Sequence, residues 1–334
     1  MRVLIGGGSG FVGRELTRLL RHKGHEVTVI SRQPGPGKIT WAELESHGLP
    51  PCDGAVNLAG ENLMNPLRWW NESYKKDLFS SRIDTTKSMA QAIAASSSPP
   101  HSWVLVSGVG KCPDNTTCDL LPVLSRITSA VTLMTFLVSP AACYKPSLTA
   151  EYTEDSEWTP FDVLSQLVKE WEASALLPEG VTKNTKQVVI RSGAVLGRDG
   201  GAMKQMLLPF WLGLGGTLGS GAQPFPWIHV SDLAGIIAKS LEPPAAPPPP
   251  SPQVLNGVAP ALSTNLEFTK ELGRVLRRPT VLPVPGFVMN AVMGSERAVV
   301  LLQGQKVVPK RTQEAGFVYT YPDLTSALKE IVGS

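Results

Sequence analysis

Arg2-Val3-Leu4-Ile5-Gly6 is a short apolar run closed by glycines, and it predicts a buried strand. Apolar residues then recur at Phe11, Val12, Leu16, Leu19 and Leu20, the spacing of one helix face, and predict a helix over 11–23. Gly24 follows as a helix-ending glycine, and His25–Ser31 predicts a second strand. One strand–helix–strand unit thus fills the first 31 residues. Ala55–Ala59, Trp103–Val106 and Val188–Arg191 predict further buried strands, with helices over 82–95 and near 161–176 between them. This alternation predicts an α/β fold, a parallel sheet with helices on both faces. Two stretches break the rhythm. Residues 243–252 are rich in proline and predict an extended connector. Residues 111–142 carry two cysteines and an apolar patch, Ile127–Val138, that is too short to span a bilayer.

Composition narrows the picture. The 334 residues suffice for one large domain or two ordinary ones, and 42% hydrophobic against 18% charged residues predicts a substantial core. A net charge of +3 without a lysine or arginine block argues against a nucleic-acid partner. No apolar window approaches the roughly 20 residues of a membrane span. Cys52, Cys112, Cys118 and Cys143 form no CxxC pair and no dense disulfide framework, so no metal site is expected. The N-terminus has no long apolar secretory core. A soluble protein of a reducing compartment is expected, the cytoplasm first and the mitochondrial matrix as the alternative.

Gly7-Gly8-Ser9-Gly10-Phe11-Val12-Gly13 follows a strand and opens a helix. The spacing of Gly7, Gly10 and Gly13 suits a dinucleotide: one glycine for a tight turn, one for close approach of a diphosphate, one for close helix–strand packing. The helix N-terminus offers N–H groups and a positive dipole end to the anion. Gly7, Ser9, Gly10, Phe11, Val12 and Gly13 are therefore expected cofactor contacts. An NAD site carries an acid about 20 residues later, whereas Ser31-Arg32 stands at the end of the second strand here. A carboxylate would repel a 2′-phosphate and an arginine attracts it, so NADP(H) is the expected cofactor.

The glycine motif resembles that of the extended short-chain dehydrogenase/reductases. Asn57-Leu58-Ala59-Gly60, Arg191-Ser192-Gly193-Ala194-Val195-Leu196-Gly197 and Trp227-Ile228-His229-Val230-Ser231-Asp232-Leu233-Ala234 are similar to other hallmarks of that superfamily. Leu58-Ala59-Gly60-Glu61-Asn62, Ser81-Arg82-Ile83-Asp84-Thr85-Thr86, Lys169-Glu170-Trp171-Glu172 and the tail segments Asn256–Pro260, Gly304–Arg311 and Ala315–Phe317 resemble its epimerase-like branch. The resemblance covers nearly the whole chain. It implies a Rossmann-like doubly wound parallel sheet with a smaller C-terminal substrate subdomain. The expected division is an NADP-binding core over 1–195, interrupted by 111–142, and a substrate region over 196–334 that contains the 243–252 linker. It also implies cofactor contacts from Leu58, Ala59, Gly60, Asp77, Arg82 and Val195. Arg82 has three readings: it holds a phosphate, it orients a neighbour, or it makes a helix-surface ion pair.

Two departures from the family bear on chemistry. Ser107-Gly108-Val109-Gly110 is separated from Cys143-Tyr144 by residues 111–142, a stretch that resembles an insertion of the kind alternative splicing adds. The Tyr-x-x-x-Lys pair, a phenolic acid/base tuned by an ammonium, is absent: residues 161–176 hold no tyrosine and one lysine, Lys169. The resemblance leaves Ser107, near the family's catalytic serine, and Tyr144 as catalytic candidates. His229 reads as a core histidine, Asp232 as a helix N-cap, Lys169 as a solvated side chain, and Trp69, Trp70 and Trp211 as packing or cleft aromatics. The expected function is an NADP-dependent, epimerase-like oxidoreductase acting on a small molecule. The alternative is an NADP(H)-binding sensor with little turnover.

Overall fold

The structure is a computed structural model and describes residues 1–61, 71–108, 143–201, 203–294, 298 and 301–333. The segment 111–142 and the pair Trp69-Trp70 lie outside the described residues. The first half runs β1 (Arg2–Gly6), α1 (Phe11–His22), β2 (Glu26–Ser31), β3 (Lys38–Thr40), α2 (Trp41–His47), β4 (Gly54–Asn57), α3 (Glu72–Ala95) and β5 (Ser102–Gly108). It continues through β6 (Glu151–Tyr152), α4 (Val163–Ser174), α5 (Glu179–Thr182), β7 (Lys186–Ser192) and β8 (Ala194–Leu196). The remainder is α6 (Met203–Trp211), β9 (Trp227–His229), α7 (Val230–Ser240), β10 (Gln253–Gly257), α8 (Asn265–Leu276), α9 (Gly286–Met293), β11 (Lys306–Val307), α10 (Lys310–Glu314) and α11 (Leu324–Val332).

Seven strands form one sheet in the order β10-β7-β5-β4-β1-β2-β3, every pair parallel. The chain winds from β1 to β2 and β3 on one side, then returns to β4 on the other. The crevice at the carboxyl ends of β1 and β4 is the switch point where open α/β sheets bind ligands. The parallel sheet is what the strand–helix alternation predicts, and its order is the Rossmann-like one that the resemblance implies.

Side-chain alternation within β1 feeds two cores. Val3 and Ile5 face α1 and α7 and pack with Leu16, Leu20, Ile236 and Ile237. Leu4 faces the other way, among Met89, Ile93, Trp103 and Trp171. A third core gathers Leu196, Phe210, Trp227, Phe268 and Leu328 beyond the sheet.

The sequence expectations need three corrections. A single boundary at 195 does not divide the fold, because α7 packs on α1 and β10 is a strand of the main sheet. The 243–252 connector accordingly joins two elements of the main-sheet core. The helix predicted over 82–95 begins earlier, at Glu72, where the Asn71 side chain accepts the Tyr74 N–H as its cap. Asp232 is not the cap of α7. That role falls to His229, whose Nδ1 accepts the Ser231 N–H, while buried Asp232 accepts the Thr320 and Tyr321 N–H groups. Among the described residues no helix is long and apolar enough to cross a membrane, and no His/Cys/Asp/Glu cluster is arranged to hold a metal.

Candidate functional site

The β1–α1 turn is built so that only glycine fits at positions 7 and 13. Gly7 has φ +73°, donates to the Ile30 carbonyl at 3.1 Å, and accepts the Gly10 N–H at 2.9 Å. A methyl on Gly7 would lie 2.8 Å from the Ala59 nitrogen, and one on Gly13 would overlap the Gly7 carbonyl and Gly8 backbone. Gly10 caps α1 without a side-chain hydrogen bond, and no acid occupies the first turn. The first-turn N–H groups are thus left for an outside acceptor. Ser9 and Gly10 are exposed, while Phe11 and Val12 are half-buried. A diphosphate fits this cradle: unfilled donors, a positive helix end and no Cβ in the way.

The opposite wall of the crevice is the segment after β4. Leu58 donates its N–H to the Gly6 carbonyl at 2.8 Å, which draws Leu58 and Ala59 against Gly7. Buried Asn57 holds the bend: its Oδ1 accepts the Ala59 N–H at 2.9 Å and its Nδ2 donates to Thr86 Oγ1 at 2.8 Å. Arg82 on α3 donates to the Glu61 and Leu78 carbonyls and sits 5.3 Å from the Trp171 ring centroid. Of the readings from sequence, these contacts match the one in which Arg82 orients a neighbour, and Arg82 is no surface ion pair among the described residues. It fixes the strand-end segment beneath Gly60, and burial pushes its pKa down to about 10. Asp77 is half-buried one turn earlier on α3.

Val195 lies on the far side of the turn. A methyl on Gly197 would come within 2.8 Å of the Phe11 ring and one on Gly201 within 2.6 Å of the Val195 carbonyl. Glycines 197, 200 and 201 thus form a socket for Phe11. Ser31 ends β2, and its Oγ accepts the Gln33 N–H at 3.3 Å. Arg32 is exposed and, among the described residues, makes no hydrogen bond or ion pair.

The two catalytic candidates meet in one buried polar cluster at the carboxyl ends of β5 and β7. Ser107 pairs in register with Arg191 and donates to Glu172 Oε1 at 3.0 Å. Arg191 grips the same carboxylate with both arms, Nε to Oε1 at 2.9 Å and Nη2 to Oε2 at 2.8 Å. The side chains of Arg191 and Glu172 are only 7% and 15% exposed. Burial alone would lower the Arg191 pKa, but the hydrogen bonds and charge of Glu172 outweigh it and the net shift is upward. Arg191 Nη1 also donates to the Tyr144 hydroxyl at 3.3 Å. That hydroxyl lies 3.0 Å from the Thr153 carbonyl and 3.2 Å from Asn256 Oδ1, and its one proton serves them. Tyr144 is fully buried, and burial raises its pKa well above the ordinary phenol value.

Glu172 and Arg191 carry this cluster, yet from sequence they stood out only as parts of family-like segments. The signal was an arginine at the end of the apolar run Val188-Val189-Ile190, which requires a partner once buried. On α4, Leu164, Val168 and Glu172 share the face at four-residue spacing, so the acid replaces what would be a third apolar contact. Lys169 is exposed on the other face. His229 is buried with Nε2 2.9 Å from Glu330 Oε2, a structural position. Trp211 is 56% exposed, with Arg278 5.3 Å from its ring centroid, and it lines a cleft far along the chain from the glycine turn.

The NAD dependent epimerase/dehydratase family matches residues 3–102, and a domain of unknown function, DUF1731, matches residues 284–331. The Bos taurus epimerase family protein SDR39U1 is 53% identical over 333 residues, covering 99% of this chain and 100% of its own length. The Homo sapiens protein is 52% identical over 332 residues, with the same coverage. This chain belongs to the epimerase family. It is an atypical short-chain dehydrogenase/reductase, as the motifs imply. The crystal structure of the human family member SDR39U1 (isoform 2) with NADPH has a TM-score of 0.85 and 51% identity, covering 100% of both chains.

Proposed function

We propose that the protein is an NADP-dependent oxidoreductase of the epimerase type, acting on a small molecule, with Ser107 and its Glu172–Arg191 support in place of the phenol–ammonium pair. The glycine cradle of Gly7, Gly10 and Gly13 supports the cofactor, as does the NADPH held by a relative of 51% identity. Gly7, Ser9, Gly10, Phe11, Val12 and Gly13 hold the diphosphate, Ser31 and Arg32 stand beside the adenosine ribose, and Leu58, Ala59, Gly60, Asp77, Arg82 and Val195 border the crevice. Bound NADP(H) supplies the hydride chemistry.

The observation that carries the redox reading is the Ser107–Glu172–Arg191 cluster at the carboxyl ends of β5 and β7. The bidentate guanidinium fixes the Glu172 carboxylate in place. Glu172 accepts a hydrogen bond from Ser107, whose oxygen accepts one from a substrate hydroxyl; as that hydroxyl is oxidised its proton passes to Ser107 and the Ser107 proton to Glu172, and carbonyl reduction runs the relay in reverse. Tyr144 positions Arg191 through its hydroxyl. A second reading, an NADP(H) sensor with little turnover, is favoured by the commitment of the Tyr144 phenol to protein partners.

The test combines calorimetric NADPH affinity with NADPH oxidation across carbonyl and nucleotide-sugar substrates. Turnover that falls 10²-fold or more in Ser107→Ala, with NADPH affinity unchanged, is the expected result. Tight binding without turnover on any substrate supports the sensor. Absence of NADPH binding overturns both.

A further inference from the structure

A cleft of about 680 Å³ opens beside the glycine turn, between α1 and the short edge strand β3. Its walls carry Gly8, Ser9, Arg14, Arg21 and Lys38. We infer that Lys38 and Arg14 grip the 2′-phosphate of the cofactor and set the preference for NADP(H), a role the sequence assigns to Arg32. The inference rests on the cofactor reading above.

The chain is folded to bring Lys38 to this place. Gly35-Pro36-Gly37-Lys38 closes with the Lys38 N–H on the Gly35 carbonyl at 3.0 Å, and Gly37 takes φ +66°. Proline then glycine at the two central positions, with positive φ at the glycine, is the signature of a type II turn. Val29 donates to the Gly37 carbonyl at 3.1 Å, and Lys38 pairs in register with Val29. Residues paired in register share a sheet face. Val29 in turn packs on the phosphate turn, since a methyl on Gly8 would lie 2.8 Å from Val29 Cγ2. Ile5, Val29 and Lys38 thus form a row across β1, β2 and β3, with Gly8 of the turn lying over Val29, and the lysine ends the row.

Arg14 approaches from the helix side. Its N–H bonds the Gly10 carbonyl at 2.9 Å, so it stands one turn into α1, directly after the phosphate-binding N-terminus. Among the described residues neither Arg14 nor Lys38 makes an ion pair, whereas Arg18 is held by Glu15. Arg21 also lines the cleft, but lies seven residues further on, about 10 Å down the helix axis. Two unpaired cations on opposite walls, with Ser9 between them and the phosphate turn, suit a dianion anchored at that turn. Arg32 is absent from the walls of this cleft.

The experiment measures dissociation constants of NADPH and NADH by calorimetry, with 2′,5′-ADP and 5′-AMP as adenosine-end probes. Lys38→Met and Arg14→Met keep the apolar stem and remove the charge. Each is expected to weaken NADPH and 2′,5′-ADP about tenfold or more while NADH and 5′-AMP stay within twofold. Lys38→Arg retains the preference, and Arg21→Met leaves it unchanged. Unchanged NADH affinity shows that the variants fold. A preserved NADPH/NADH ratio in both methionine variants overturns the inference, as does a larger loss from Arg32→Met than from Lys38→Met. Wild type that binds both cofactors equally also overturns it, leaving the dinucleotide reading intact. Wild type that binds neither overturns both.

Discussion

Arg191→Met is the perturbation that tests the buried cluster most directly. It removes the cation and leaves the Glu172 carboxylate, 15% exposed, with the Ser107 hydroxyl as its one remaining partner among the described residues. Breaking a buried pair by deleting one partner costs about 3–5 kcal/mol, because the remaining charge stays desolvated. Unfolding entropy of about 2.1 cal/mol/K per residue, taken over 334 residues, gives roughly 0.7 kcal/mol per degree. The expected fall in Tm is therefore about 4–7 °C. Calorimetry at pH 8 measures it. Glu172→Gln combined with Arg191→Met should recover at least half of the loss, because no uncompensated charge remains. A Tm drop below about 1 °C for Arg191→Met would refute the reasoning. So would a double variant that equals the sum of the two singles, since groups in direct contact should not be additive.

Four further outcomes are expected. Gly13→Ala places a methyl into the Gly7 carbonyl, and should lower NADPH affinity at least tenfold in a fluorescence titration. Tyr144→Phe removes the hydroxyl that Arg191 and Thr153 share. It should cost about 1–3 kcal/mol in denaturant melts by stranding buried partners, with NADPH affinity unchanged. Glu15 has its pKa lowered by the Arg18 hydrogen bond first and the Ser231 hydroxyl next. Its stabilisation is complete above the unfolded value of about 4.3 and lost as the pH falls through the lower folded value. Glu15→Gln should therefore flatten the acid limb of the stability curve below about pH 4.5. Deleting 111–142 joins Gly110 to Cys143 and should leave Tm and NADPH affinity equal or higher; an unfolded product would show that the segment belongs to the core.

Local patterns made the first half of the sheet legible. β1 and α1 follow from an apolar run and a helical stripe, and Gly24 marks the end of α1 at φ +77°. The glycine turn was legible because its requirement is steric and contiguous in sequence. Glu172 and Arg191 were not, because nineteen residues separate them and their pairing depends on the packing of α4 on β5. Lys38 escaped for a related reason: a three-residue edge strand has too little pattern to announce itself, and only its register with Val29 gives the charge an address. Asp232 illustrates the opposite error. An acid at a helix start suggests a cap, yet tertiary packing turned its carboxylate toward Thr320 and Tyr321 and left the cap to His229.

The place of β10 in the sheet has a consequence for how the protein is made. β7 is complete at Ser192, but its outer edge is paired only when Gln253–Gly257 has been synthesised. During translation that edge is a row of unsatisfied N–H and C=O groups along the strand Gln187-Val188-Val189-Ile190, a template for pairing with any passing extended chain. At ordinary synthesis rates of roughly 5–20 residues per second the exposure lasts several seconds. Nascent chains stalled before residue 253 should therefore aggregate, or engage chaperones, while chains released beyond it should not.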